Sequence, residues 1–243
     1  MTNAYTATSG SISTTVSGSG YTVTVYPGQI DSSKCYISLT GTPTVEASVA
    51  YTFPISFVDI YDNLHYQSLS DEISGGMVVS VTADYVDHNN YPSPIGIADL
   101  ANWQTTYGTS ITGSASDSSD GTMAASVTIQ RAGSYSITAM VDGTEVIGST
   151  FSSVDFQPTT LNAAKCEVLS VPSQIMAGFD YSFKIQGRDQ YSNNLVKTLS
   201  TAIGSNKSSE MSLSTNSGVT YSASIVDDTS AGVYRVEYSV PTT

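Results

Sequence analysis

Asp59, Tyr61 and Asn63 stand in the spacing Asp-x-Tyr-x-Asn, and Asp189, Tyr191 and Asn193 repeat it further along the chain. Each triplet ends an alternating stretch, YTFPISFVDIYDNL from Tyr51 and YSFKIQGRDQYSNNL from Tyr181. A carboxylate, a phenol and an amide this close together offer clustered oxygens, the donor set that a hard cation such as calcium takes. Nearby acids extend the set, so the candidate calcium ligands are Asp59, Asp62, Asp71, Glu72, Asp84 and Asp87. The competing reading is structural: Asp and Asn at strand ends accept backbone N–H bonds and shape turns. Recurrence at one place in two similar stretches favours the turn, so no cofactor is assigned and a calcium-dependent adhesion module is kept as a further alternative, behind a homopolymer. An ion bridging a junction would need acids from both sides, and Asp31 is the obvious junction acid.

Nucleophilic catalysis needs a base beside Ser or Cys and a third group to orient that base. The histidines, His65 and His88, lie in DNLHYQ and DHNN with no Gly-x-Ser-x-Gly nearby. No His-Glu-x-x-His, Cys-x-x-Cys or phosphate loop occurs either, so no catalytic residue is assigned and no enzyme is expected. Cys35 and Cys166 each follow a lysine, in SSKCYISL and AAKCEVLS. Equivalent places in two copies sit apart in space, so two buried free thiols are expected rather than a disulfide. Asn206-Lys207-Ser208 is a sequon, which makes Asn206 a candidate glycosylation site.

The 243 residues carry a formal charge of −13 with only eight Lys and Arg, which argues against nucleic acid, because neutralising phosphates takes cationic side chains. Polarity comes from hydroxyls more than from charge: charged residues make up 12% and there are 16 tyrosines. That composition suits strands with one face inward and one in water. No run of 18 apolar residues exists, so no membrane span is expected. The opening MTNAYTATSGSISTTVSGSG lacks the basic start and apolar centre of a signal peptide.

The elements that must position these residues follow from internal repetition. Aligning Cys35 with Cys166 also aligns Pro43 with Pro172, Tyr51 with Tyr181, Phe53 with Phe183, Ile55 with Ile185, and the two Asp-x-Tyr-x-Asn triplets. A second echo places Tyr5, Val16, Gly18, Ser19 and Tyr21 opposite Tyr135, Val146, Gly148, Ser149 and Phe151. A third sets DSSDGTMAASVTI beside DDTSAGVYRVEYSV, with Gly121 opposite Gly232. The expected organisation is therefore residues 1–30 as the last strands of one repeat, 31–158 as a complete repeat, and 159–243 as the first five strands of another, its last two strands missing. The complete repeat carries an insertion near 87–113, which includes Trp103 and is expected to form a functional surface or a flap over an edge strand.

YTVTVY, KCYISL, YTFPISFVDI, GMVVSVTADY, MAASVTIQ, SYSITAMV and EVIGSTFSSVDF alternate or carry β-branched and aromatic residues between turn signals, and no helical period of useful length appears. Short strands at this density mean an all-β sandwich.

Taken together, Lys34-Cys35 and Lys165-Cys166, the triplets at Asp59 and Asp189, Asp228 to Tyr234 and the Gly148-Ser149-Thr150-Phe151 close resemble the immunoglobulin-like filamin-type repeat. Asp62 and Ser192 stand where that family usually has Gly, and Met123 where it has Tyr, which marks a divergent member. The resemblance implies tandem immunoglobulin-like (filamin-type) β-sandwiches with the structural signature Cys35, Asp59, Tyr61, Asn63, Cys166, Asp189, Tyr191, Asn193, Gly232 and Tyr234. It implies a non-enzymatic structural or adhesive module, a rigid spacer whose protein partners, or neighbouring copies, add a β-strand beside the third strand, in GMVVSVTADY or SEMSLSTN. The triplet's tyrosine is expected to cover the end of the sandwich. The setting that fits a hydroxyl-rich, lysine-poor chain is extracellular or cell-surface, with a cytoskeletal one as the alternative. The rival organisation is a homopolymer, in which residues 1–26 of one copy complete the last repeat of the next.

Overall fold

The structure, a computed structural model, describes residues 12–15, 22–38, 43–87, 110–149, 151–197, 212–214, 220–228 and 232–241. Its strands are β1 (Ile12–Thr15), β2 (Thr22–Val25), β3 (Thr44–Glu46), β4 (Ala50–Ser56), β5 (Val79–Asp87), β6 (Ser110–Thr112), β7 (Ser114–Asp117), β8 (Thr122–Thr128), β9 (Gly133–Val141), β10 (Thr144–Glu145), β11 (Phe151–Gln157), β12 (Glu167–Ser170), β13 (Asp180–Gln186), β14 (Ser212–Ser214), β15 (Thr220–Asp227) and β16 (Val233–Ser239). One short helix, α1 (Ser70–Ser74), and a 3-10 turn at Ala163–Lys165 interrupt them.

Strict alternation builds a two-layer sandwich from β3 to β11. In β4, Tyr51, Phe53 and Ile55 point inward while Thr52 and Pro54 face out, and β4 pairs with β8, which pairs with β7. The opposing sheet runs β3-β11-β9-β5-β6 with β10 beside β9. All its pairs are antiparallel except β3 with β11, which is parallel. Phe53, Ile55 and Phe57 meet Val81, Ile137, Val154 and Phe156 in one core. Each such side chain contributes about 1.5–3 kcal/mol by leaving water. Tyr135 stands edge-on to Phe156 at 5.5 Å between centroids, the geometry that ring quadrupoles prefer.

Strands β12 to β16 form a separate sheet in the order β12-β13-β16-β15-β14. Its central pair copies the sandwich register: Tyr51↔Val127 and Ile55↔Met123 in β4–β8 correspond to Tyr181↔Tyr238 and Ile185↔Tyr234 in β13–β16. Burial differs sharply. Tyr51, Phe53 and Ile55 are 9%, 1% and 0% exposed, whereas Tyr181, Phe183 and Ile185 are only half-buried. Along the β12 edge and the turn after it, Val168, Leu169, Val171, Ile175, Met176 and Phe179 are exposed.

β1 and β2 pair with one another, and among the described residues with no other strand. The sequence echo sets Thr24 against Tyr5, as Val154 faces Tyr135 in β11–β9, but Thr24 instead faces Ser13. The hairpin therefore has its own register.

Several expectations are corrected here. β5, expected to offer an edge to partners, pairs with β9 along its length and has β6 on its other side over Thr82–Asp84. β6 ends the insertion, pairing Ile111 with Ala83, so this part of the insertion does cover the edge. The rest of the insertion, with Trp103 and His88, lies outside the described residues, as does Asn206. Cys35 and Cys166 are both free thiols, but only Cys35 is buried, and Cys166 is half-buried. In both cases the thiol points at the carbonyl four residues back, Asp31 and Asn162, at 3.5 and 3.4 Å.

Candidate interaction site at the Asp-x-Tyr-x-Asn turns

Each triplet folds as a tight turn closed on its own carboxylate. Asp59 is 1% exposed, and its Oδ1 accepts the backbone N–H of Tyr61 at 2.8 Å and of Asn63 at 2.9 Å. Asp189, fully buried, accepts from Tyr191 and Asn193 at 2.9 Å each. The residue that lets the chain reverse adopts a left-handed conformation, Asp62 at φ 65° and Ser192 at φ 67°, the region of backbone space that favours Gly. Backbone bonds close the turn again, with Asn63 O accepting from Asp59 N and Asn193 O from Asp189 N, both at 3.0 Å.

The second carboxylate oxygen reaches out of the turn to the chain entering that sheet. Asp59 Oδ2 accepts from Gly28 N at 2.8 Å, and Asp189 Oδ2 accepts from Thr159 N at 3.0 Å. Gly28 and Thr159 each follow a proline, Pro27 and Pro158, which has no N–H of its own to offer. Burial pushes the Asp59 carboxyl up, but the bonds from Asn63, Gly28 and Tyr61 outweigh it and hold the group well below the usual carboxylate range.

Past the turn, the glycines of the third echo lock the arrangement. A Cβ on Gly121 would run into the carbonyl oxygen of His65, and one on Gly232 into that of Leu195; both glycines have positive φ, 83° and 75°. In the second copy Gln186 Nε2 also donates to Gly232 O and Gly187 O at 3.0 Å. The two sequence signatures are thus parts of one packed corner.

The amides separate the copies. Asn63 Nδ2 donates to both oxygens of its own Asp59, at 3.1 and 2.9 Å. Asn193 is 7% exposed and reaches across to the loop between β8 and β9: its Oδ1 accepts from Ala132 N at 2.9 Å and its Nδ2 donates to Gln130 O at 2.8 Å, while Nδ2 also holds Asp189 at 2.9 Å. Lys197 lies across the same junction, 3.9 Å from Glu46 of β3.

The calcium candidates are not brought together. Asp59 spends its oxygens on N–H donors, Asp62 is exposed and 2.9 Å from Lys34, and Asp71 and Glu72 start α1, with Glu72 3.9 Å from His65. Asp84 lies in β5 facing water, and Asp87 ends that strand. Among the described residues no group of three His, Cys, Asp or Glu is placed to hold a metal ion. The triplet's tyrosine departs from expectation in the first turn only: Tyr61 is 76% exposed and meets Asp59 through its backbone N–H, whereas Tyr191 is half-buried. Sequence reasoning missed the partners Gly28, Thr159, Gln130 and Ala132; the position after a proline, shared by Gly28 and Thr159, was the available signal. It also missed Asp117, whose carboxylate holds Leu69 N at 3.0 Å ahead of α1.

No family model matches the chain, and no curated protein does. Solved structures are similar at low identity. FdeC, an Escherichia coli adhesin, is 13% identical with a TM-score of 0.47, over 91% of this chain and 60% of its own. Invasin, a bacterial integrin-binding protein, is 17% identical with a TM-score of 0.45, over 97% of this chain and 41% of its own. The Lin-41 filamin domain is 16% identical with a TM-score of 0.33, over 55% of this chain and 98% of its own. The chain thus spans 60% and 41% of the first two. Among the described residues no helix is long and apolar enough to cross a membrane.

Proposed function

We propose that the chain is a non-enzymatic structural or adhesive segment of an extracellular or cell-surface protein. In this reading residues 31–158 and the segment from 159 onward are successive immunoglobulin-like units, and residues 1–30 belong to a unit before them. The carrying observation is the doubled corner: a buried carboxylate in each unit grips the chain that enters it, Asp59 at Gly28 and Asp189 at Thr159. Anchoring the linker so close to each body leaves it few free torsions, which makes a spacer stiff. Exposed apolar residues between Val168 and Phe179 supply an adhesive surface in this reading, since a partner that buries them gains the free energy of removing apolar area from water. Small-angle scattering of the chain tests the spacer: a profile fitted by one arrangement supports it, and one that requires a broad ensemble refutes it.

A second reading, strand donation between copies, is favoured by the half-buried inner face of β13 and β16. β9 and β11 cover the corresponding face in the sandwich, and residues 5–26 echo 135–156. The parallel pair Phe156↔Val45 maps onto Tyr26 of one copy beside Gln174 of another. A chain carrying Tyr26→Cys and Gln174→Cys, with Cys35 and Cys166 replaced by Ala, should form disulfide-linked oligomers on oxidation. Monomers at all concentrations, with no cross-link, would exclude this reading.

A further inference from the structure

We infer that Asn193 is an inter-unit clasp: its side-chain amide reads the backbone of the Gln130–Ala132 loop and fixes the orientation of the five-stranded sheet on the sandwich. The inference rests on the proposed spacer and names the residue that stiffens it. Three observations carry it. The amide is buried and matches one peptide acceptor and one peptide donor at 2.8 and 2.9 Å, so both ends of the side chain are used across the junction. Its Nδ2 is steered by Asp189 Oδ2, the same atom that holds Thr159 N, which ties the clasp to the linker at one carboxylate. The loop it grips is itself fixed: Arg131 stacks over the Tyr85 ring at 4.9 Å, and Arg131 O accepts from Tyr135 Oη at 3.2 Å.

The clasp's hydrogen bonds to the loop go to main-chain atoms, so any β8–β9 loop of the same backbone shape offers it the same donor and acceptor. Asn63, the same residue in the same turn, turns its Nδ2 inward on Asp59 and serves as an internal control.

The test compares Asn193→Ala and Asn63→Ala in the whole chain by amide hydrogen exchange and by the distance distribution between spin labels at Thr52→Cys and Ser182→Cys, in a background with Cys35 and Cys166 replaced by Ala. Asn193→Ala should speed exchange of the Ala132 amide by roughly tenfold, as expected for the loss of one net hydrogen bond. It should also broaden the label distribution, while the Tyr191 amide, bonded to Asp189, keeps its protection and shows the turn still folded. Asn63→Ala should change neither readout. If Asn193→Ala leaves the Ala132 amide and a narrow distribution as they were, or Asn63→Ala broadens it equally, the clasp is refuted. A distribution already broad without either substitution refutes the spacer itself, and unchanged Ala132 exchange would then dismiss the clasp as well.

Discussion

Replacing Asp59 by Ala removes the acceptor for three backbone donors, Gly28, Tyr61 and Asn63, and for the Asn63 side chain. Hydrogen bonds to a charged acceptor contribute about 1.5–3 kcal/mol each, which sets a ceiling of about 4.5–9 kcal/mol for the three backbone donors. Gly28 and Tyr61 are exposed residues, so water recovers part of that, and a loss of about 2–5 kcal/mol is expected. Against a typical domain stability of about 5–15 kcal/mol this is severe. Asp59→Asn keeps one oxygen for Tyr61 and Asn63 but turns an NH2 toward Gly28 N, and should cost about 1.5–3 kcal/mol. Urea unfolding followed by circular dichroism measures both. The pH dependence has a definite sign: the folded carboxyl lies below its unfolded value of about 3.9, so its contribution is fully present above that pH and fades as pH falls toward the folded value. The gap between Asp59→Ala and the parent chain should therefore narrow in acid. A loss under about 1 kcal/mol at pH 7, or a gap that widens below pH 4, would refute the corner as a carboxylate-held structure.

Other outcomes follow from the same geometry. Gly232→Ala, with positive φ and the Leu195 carbonyl in the way, should lower the melting temperature by well over the ~4 °C that about 1 kcal/mol produces in a small domain. Phe53→Ala should cost about 3–5 kcal/mol, and Phe183→Ala at the matching but half-buried place less than about 2 kcal/mol, both read by denaturant titration. Burial pushes the Cys35 thiol up to about 11, so at pH 8 it should resist alkylation in the folded chain and react once urea unfolds it. Because the Asp59 oxygens are spent on N–H donors, a chelator should leave the melting temperature unchanged.

How much of this was legible depended on range. Alternation gave β4, β8, β9 and β13 directly, since a period of two reports burial on one face. The corner's carboxylates were visible as turn formers because they bond within four residues of themselves. The exposed Tyr61 was not foreseen, because the turn uses its N–H and nothing in the sequence says where the ring goes. Nor was β6: three residues, Ser110–Thr112, carry no pattern, yet they occupy the edge of β5. Asn63 and Asn193 mark the limit most clearly, sharing residue type, spacing and turn while only one meets a neighbouring loop. That difference is tertiary and has no local signature.

The central claim, that buried corners make successive units a stiff spacer, is tested most directly by the distance distribution between spin labels at Thr52→Cys on β4 and Ser182→Cys on β13 in the unaltered junction. A single narrow distribution is predicted. A broad one, spanning the range a free linker would allow, would contradict it.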